Sequence, residues 1–211
     1  NGVNDKKQED NMAKTVGFIG SGNMGRAIMG GMIAAGLYTP SQILASARTK
    51  ETVEKIEKEL GIVATTDNAT VAKKADILFL AVKPGVFATV IPEIRDCCKE
   101  GQIVVSIAAG QTLTSITEMF GHEIKLVRAM PNTPALVGEA MSAVTPNNHV
   151  DEEEIQEVMA IFESFGKAEI VPETMMDAVV GVSGSSPAYV YMFIEAMADA
   201  AVADGMPRKQ A

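Results

Sequence analysis

From Thr15 onward, short runs of β-branched and apolar residues alternate with stretches whose apolar positions recur at helical spacing. The runs predict strands near 15–19, 43–46, 62–64, 76–82, 102–107 and 124–129, and the periodic stretches predict helices near 23–36, 50–60, 68–74, 86–97 and 112–120. Strict alternation of this kind predicts an α/β fold with a doubly wound, mostly parallel sheet. The runs ADILFLAV and QIVVSIAA carry no period-two polarity, as central strands covered on both faces require. Between about 138 and 171 the pattern becomes strand, helix, strand, the helix opening at Asp151-Glu-Glu-Glu154, where acidic side chains suit the helix dipole.

After Glu173 no strand is visible. A turn at Ser183-Gly-Ser-Ser-Pro187 precedes a strong helical run in which Ser186 is the expected cap, Pro187 the first helical residue, and Val190, Phe193, Met197, Ala198 and Ala201 one apolar stripe. Nothing evident in the chain packs against that stripe, and Arg208-Lys-Gln-Ala211 reads as the approach to another helix. The expected organisation is a polar tail over residues 1–11 before a natural-looking start at Met12, a nucleotide-binding α/β domain over 12–172, and part of a helical domain over 173–211.

Composition narrows the partners. A formal net charge of −9 without a basic, aromatic-interleaved cluster argues against nucleic acid. No apolar run reaches the length of a membrane span and no signal-peptide core is visible, so the expected site of action is the cytoplasm. Cys97 and Cys98, neighbours in a predicted helix, read as reduced structural thiols because their side chains diverge. His122 and His149 stand apart in polar loops, and no metal-ligand spacing occurs.

The candidate chemistry begins at TVGFIGSGNMGRAIMGGMIAAG, where Gly20, Gly22 and Gly25 hold the G-x-G-x-x-G spacing between a buried strand and a helix. Gly20 suits a tight turn, Gly22 a close approach of pyrophosphate to backbone, and Gly25 close helix–strand packing. Gly30 and Gly31 further along imply close packing of the same helix. The second predicted strand, QILASAR, ends without the acidic residue that grips the ribose of NAD. Ser46 and Arg48 stand there instead, followed by Thr49 and Lys50, which favours NADP, with NAD as the alternative. Ala81-Val82-Lys83-Pro84 and Ser106-Ile-Ala108-Ala109-Gly110 follow two further strands, where ligands of open sheets sit; the small residues leave room for a flat ring.

The stretches FIGSGNMG, LAVKP, SIAAG, RAMPNTP and GVSGSSPAYVYMFIEAMADAAVADGMPR together resemble pyrroline-5-carboxylate reductase, from Lys14 to Ala211. The last stretch is the most specific. The resemblance implies a Rossmann-type domain followed by an all-helical dimerisation domain that interlocks two subunits, often within larger rings. It implies cofactor contacts at Ile19, Gly20, Ser21, Gly22, Asn23, Met24 and Gly25, at Ser46 and Arg48, at Asn68, at Ala81, Val82, Lys83 and Pro84, and at Ala108, Ala109 and Gly110. Asn68 rests on the resemblance alone, since by position it also suits a helix cap.

The implied reaction is hydride reduction of the cyclic imine 1-pyrroline-5-carboxylate to L-proline. A protonated imine is already electrophilic, so the absence of a triad or paired carboxylates is consistent with it. Pro131 and Asn132, with Ser183 and Ser185, are the candidate wall and donors for the substrate; no catalytic residue is assigned. In the family the helical domain continues past the point matching Ala211 and carries a Ser-Pro-Gly-Gly-Thr-like loop. A chain of this length is therefore expected to keep cofactor binding while dimerisation and turnover suffer. Two alternatives stay open: a β-hydroxyacid dehydrogenase or imine reductase of similar architecture, with Tyr189, Tyr191 or Glu195 in place of the usual helix lysine, and a cofactor-binding fragment without turnover.

Overall fold

The computed structural model describes residues 14–211; Met12 and residues 1–11 lie outside them. Eight strands form one sheet: β1 (Val16–Ile19), β2 (Ile43–Ser46), β3 (Val63–Thr65), β4 (Ile77–Leu80), β5 (Ile103–Ser106), β6 (Lys125–Met130), β7 (Ala140–Pro146) and β8 (Gly166–Ile170). Their spatial order is β3-β2-β1-β4-β5-β6-β7-β8. Six of the seven pairings are parallel and β6–β7 is antiparallel, so the last two strands run against the rest.

The helices are α1 (Asn23–Ala34), α2 (Lys50–Leu60), α3 (Asn68–Lys74), α4 (Phe87–Ile94), α5 (Leu113–Phe120), α6 (Glu152–Glu163), α7 (Met176–Val179) and α8 (Ser186–Ala203). Residues of β1, β2, β4 and β5 are buried throughout, because helices cover both faces. One face packs Phe18, Phe79 and Val105 against Ile28, Met32, Ile161 and Phe162; the other packs Leu78, Leu80 and Val104 against Ile91, Ile94, Ile116 and Phe120. Phe18 and Phe79 stack with centroids 4.7 Å apart across β1 and β4.

Local chemistry places the helix starts. Thr49, Asp67, Thr112 and Asp151 each accept a backbone N–H at the start of α2, α3, α5 and α6. The acidic run is thus structural: Asp151 and Glu154 form a capping box, and Glu154 also pairs with Lys125. At Gly31 an added Cβ would lie 2.6 Å from Phe165 Cβ, so the glycine lets α1 approach the end of α6. The same expectation for Gly30 is not met; among the described residues a Cβ there would find only Leu60, 4.0 Å away.

Other details depart from the sequence reading. The helix expected over 86–97 is α4 flanked by 3-10 turns at Pro84–Val86 and Arg95–Cys97. Cys97 and Cys98 therefore lie at its ragged end, and burial pushes the Cys98 thiol up to about 11. His149 is not isolated, since Nε2 lies 2.8 Å from Glu123 Oε2. Asn68 is not the cap of α3; Asp67 is, its carboxyl held below the ordinary range first by the Thr70 hydroxyl.

The largest departure is the serine-glycine turn. Met176 to Ala203 is helical nearly throughout, with a π turn over Val180–Gly184 where a break is expected. Ser186 is already helical and Ser185 makes no side-chain cap bond; Ser185 Oγ donates back to Val180 O at 2.9 Å. Pro187 has no N–H for the carbonyl four residues earlier, that of Ser183. That carbonyl is satisfied from the α/β domain, by Asn132 Nδ2 at 3.2 Å.

Nor is α8 amphipathic. It buries none of its 18 residues, and Tyr189, Tyr191, Met192 and Phe193 on different sides are all more than half exposed. Apart from Glu195 and Asp199, one turn apart and paired with Arg208, its surface is largely apolar, and such a surface is built to be covered, not to lie with one stripe on a sheet.

Candidate functional site

The sheet order reverses between β1 and β4, and the crevice at the carboxyl ends of these strands is where open α/β sheets take ligands. The glycine turn follows β1 and the Ala81–Pro84 loop follows β4, so both expected segments meet there. Ala81 N donates to Ile19 O at 2.9 Å, which fixes the two segments side by side. Gly20 has φ +97°, and an added Cβ would stand 2.7 Å from Val82 and 2.8 Å from the Ala81 carbonyl oxygen. Only glycine closes this turn against the neighbouring loop.

At Gly25 a Cβ would meet the Gly20 carbonyl oxygen at 3.2 Å and Ala81 Cβ at 3.4 Å, which is the close packing expected of it. At Gly22 it would meet nothing within 4 Å among the described residues, which leave open space above the turn. Gly22, the residue before helix α1, offers no side-chain cap, unlike those before α2, α3, α5 and α6. Ser21 Oγ is buried and has no hydrogen-bond partner among the described residues. Uncapped amides, a positive dipole end and an orphaned hydroxyl beside open space fit a dinucleotide pyrophosphate.

Ser46 is bonded within the fold. It is 1% exposed; Oγ accepts from Gly20 N at 3.3 Å and donates to Phe18 O at 3.4 Å, which ties the tip of β2 to the turn. Thr49 is committed to Thr52. Arg48 and Lys50 remain exposed at the tip, leaving two cations for a 2′-phosphate. Asn68 Nδ2 donates to Glu93 Oε2 at 2.7 Å.

In the loop after β5, Ala108 is buried while Ala109 and Gly110 are exposed at the carboxyl edge, three strands from β2. Beyond β6, Pro131 is buried and Asn132 is half-buried. Asn132 Nδ2 reaches both the carbonyl and the hydroxyl oxygen of Ser183 at 3.2 Å, while its Oδ1 accepts from Met141 N at 2.9 Å. The structure thus brings Asn132 and Ser183 together but commits both ends of the Asn132 amide, and it turns Ser185 back into its own helix. The Ser183 hydroxyl accepts from Asn132 and keeps its hydrogen to donate.

A residue that sequence reasoning missed is Arg128 on β6, which is 5% exposed and pairs with Glu173 at 3.0 Å. An arginine inside an otherwise apolar strand, LVRAM, was the available signal.

Comparison with known proteins agrees with this geometry. Residues 15–110 match a family described as NADP oxidoreductase coenzyme F420-dependent, and residues 173–211 match pyrroline-5-carboxylate reductase dimerisation. Pyrroline-5-carboxylate reductase of Escherichia coli (strain K12) is 52% identical over 200 residues, covering 95% of this chain and 74% of that one. The chain belongs to the pyrroline-5-carboxylate reductase family. The Methanosarcina acetivorans member is 42% identical over 196 residues, 93% of this chain and 73% of that protein. A crystal structure of Plasmodium falciparum pyrroline carboxylate reductase with NADP bound superposes at a TM-score of 0.86 with 32% identity, over 94% of this chain and 73% of that one. The chain is thus a Rossmann-like fold leading into the start of a dimerisation domain, in an enzyme family of NAD(P)-dependent oxidoreductases. Family membership sets aside the β-hydroxyacid dehydrogenase alternative. No helix among the described residues is long and apolar enough to cross a membrane.

Proposed function

We propose that this chain binds NADPH across the β1–β4 crevice and serves the reduction of 1-pyrroline-5-carboxylate to L-proline. The observation that carries the reading is the uncapped start of α1 at the switch point, with the Ser21 hydroxyl buried and unpartnered beside it. Ser21 to Gly25 would hold the pyrophosphate, with Ile19 and Gly20 closing the turn beneath; Ala81 to Pro84 and Asn68 would line the ribose side, and Ala108 to Gly110 the nicotinamide side. Arg48 and Lys50 would take the 2′-phosphate, and Ser46 would position Gly20 rather than touch the ligand. When bound, the reduced nicotinamide supplies the hydride equivalent.

The chain's own task is orientation. A cyclic iminium carries its own electrophilicity, so the protein must hold the ring and its carboxylate and keep water away. Pro131 gives an apolar wall and the Ser183 hydroxyl a donor aligned by Asn132. Residues 14–172 form the dinucleotide-binding unit and 173–211 the start of the helical unit, whose bare α8 surface fits a second copy of this chain, as a homodimer or a larger ring. The cytoplasm is the fitting compartment for a chain that keeps two neighbouring thiols free.

The test is a fluorescence titration with NADPH and NADH. Arg48→Ala is expected to weaken NADPH binding about tenfold, the worth of a charge-assisted hydrogen bond, and to leave NADH unchanged. An unchanged NADPH-to-NADH ratio would remove the NADP assignment, and failure of the unaltered chain to bind either would remove the site.

A further inference from the structure

At the carboxyl end of the sheet three polar side chains stand in register on neighbouring strands. Ser106 on β5 is opposite Arg128 on β6, and Arg128 is opposite Thr145 on β7. All three are buried, and residues in register share a face of the sheet. Each is bonded to a segment that leaves the sheet. Ser106 Oγ accepts from Ala108 N at 3.4 Å, Arg128 Nη1 donates to Glu173 Oε1 at 3.0 Å, and Thr145 Oγ1 donates to Val171 O at 2.6 Å. The same Glu173 oxygen accepts from Leu113 N, the first residue of α5, at 2.8 Å. Glu173 is also the first residue of the segment that matches the dimerisation domain.

A buried arginine is costly, and an apolar side chain of similar volume would hold a sheet together at least as well. What the ion pair supplies is geometry: it aims one carboxylate oxygen at the amino end of α5. The loop 107–112 between β5 and Leu113 is then anchored at both ends, by Ser106 at one and Glu173 at the other.

We infer that Glu173, oriented by Arg128, is a positioning residue that clips the β5–α5 loop to the start of the helical segment and so sets the Ala108–Gly110 backbone against the crevice. The clip makes the nicotinamide-side wall depend on the seating of the helical segment. This rests on the reading of Ala108–Gly110 as cofactor wall, and the test separates the two.

Hydrogen exchange on the unliganded chain reads the clip directly. Glu173→Ala is expected to speed exchange at residues 107–113 roughly tenfold, the worth of a lost charge-assisted hydrogen bond, while amides of β1 and β4 keep their protection. Glu173→Gln keeps an acceptor of the same shape and is expected to restore Leu113 protection in large part. NADPH affinity, by fluorescence, is expected to fall about tenfold in the alanine variant and to recover with glutamine. Unchanged exchange at 107–113, or an equal rise across every strand, overturns the clip. Loosened exchange with unaltered NADPH affinity overturns its role in positioning the wall, whereas absence of NADPH binding in the unsubstituted chain overturns the cofactor reading and leaves the clip to the exchange result.

Discussion

Helix α1 seats Gly25, Ile28, Met29 and Met32 in the core, whereas α8, longer and equally apolar in character, buries none of its 18 residues. Both are preceded by glycine- and serine-bearing segments, so sequence alone makes them look alike. The difference is that α1 is returned onto a sheet by a crossover whose length and handedness are set, while α8 continues outward from α7 through a π turn. Apolar composition states that a helix needs a partner; topology states whether residues 14–211 supply it.

The sharpest way to break this contrast is a pair of alanine substitutions. Ile28→Ala should lower unfolding free energy by about 2–5 kcal/mol in urea titrations, because a fully buried side chain leaves a cavity. Phe193→Ala, at a position 66% exposed, should leave monomer stability within about 0.5 kcal/mol and reduce association seen by light scattering. Equal losses of stability would show that α8 is packed in the chain after all.

The glycine turn gives a smaller effect on stability. Gly20→Ala forces a side chain onto φ +97° and against Val82, which should cost about 1–3 kcal/mol and weaken NADPH binding as the turn shifts. Retained stability and affinity together would mean the turn is not the tight cradle described.

Capping should separate structural helix starts from the one proposed to face the cofactor. Asp151→Ala should cost about 1 kcal/mol in thermal melts without changing NADPH affinity, since α6 already satisfies its own amides through the capping box. A change in affinity would place α6 in the site.

The smallest effect concerns Cys98. With burial raising its thiol to about 11, its thiolate fraction near neutral pH is low, and iodoacetamide should label it more slowly than an unstructured cysteine peptide. The unfolded chain loses that proton first as pH rises, so the stabilising contribution is full below the ordinary thiol pKa and declines from there toward about 11. Labelling as fast as the peptide would show Cys98 unburied.

The legible parts of the molecule were those in which near neighbours decide structure. QIVVSIAA announces a strand buried on both faces, and Gly20-x-Gly22-x-x-Gly25 after a strand announces a tight turn into a closely packed helix. What spacing does not contain is that the Ser46 hydroxyl is bonded to Gly20 and Phe18, 26 and 28 residues away. The π turn was missed because the carbonyl freed by Pro187 finds its donor in Asn132, across 51 residues. Arg128 and Glu173 were missed for the same reason, as their pairing spans 45 residues.

By itself the sequence determined the α/β alternation, the glycine cradle, the family and the cations at the tip of β2. The family rests on the resemblance of the quoted stretches; the others follow from local periodicity, backbone sterics or residue type. Tertiary structure alone decided the antiparallel turn-back of β7 and β8, which polar side chains are spent on the scaffold, and the exposure of α8 on all sides. Those outcomes depend on which distant groups are brought within hydrogen-bond reach, and a buried donor or acceptor takes the partner that the fold supplies.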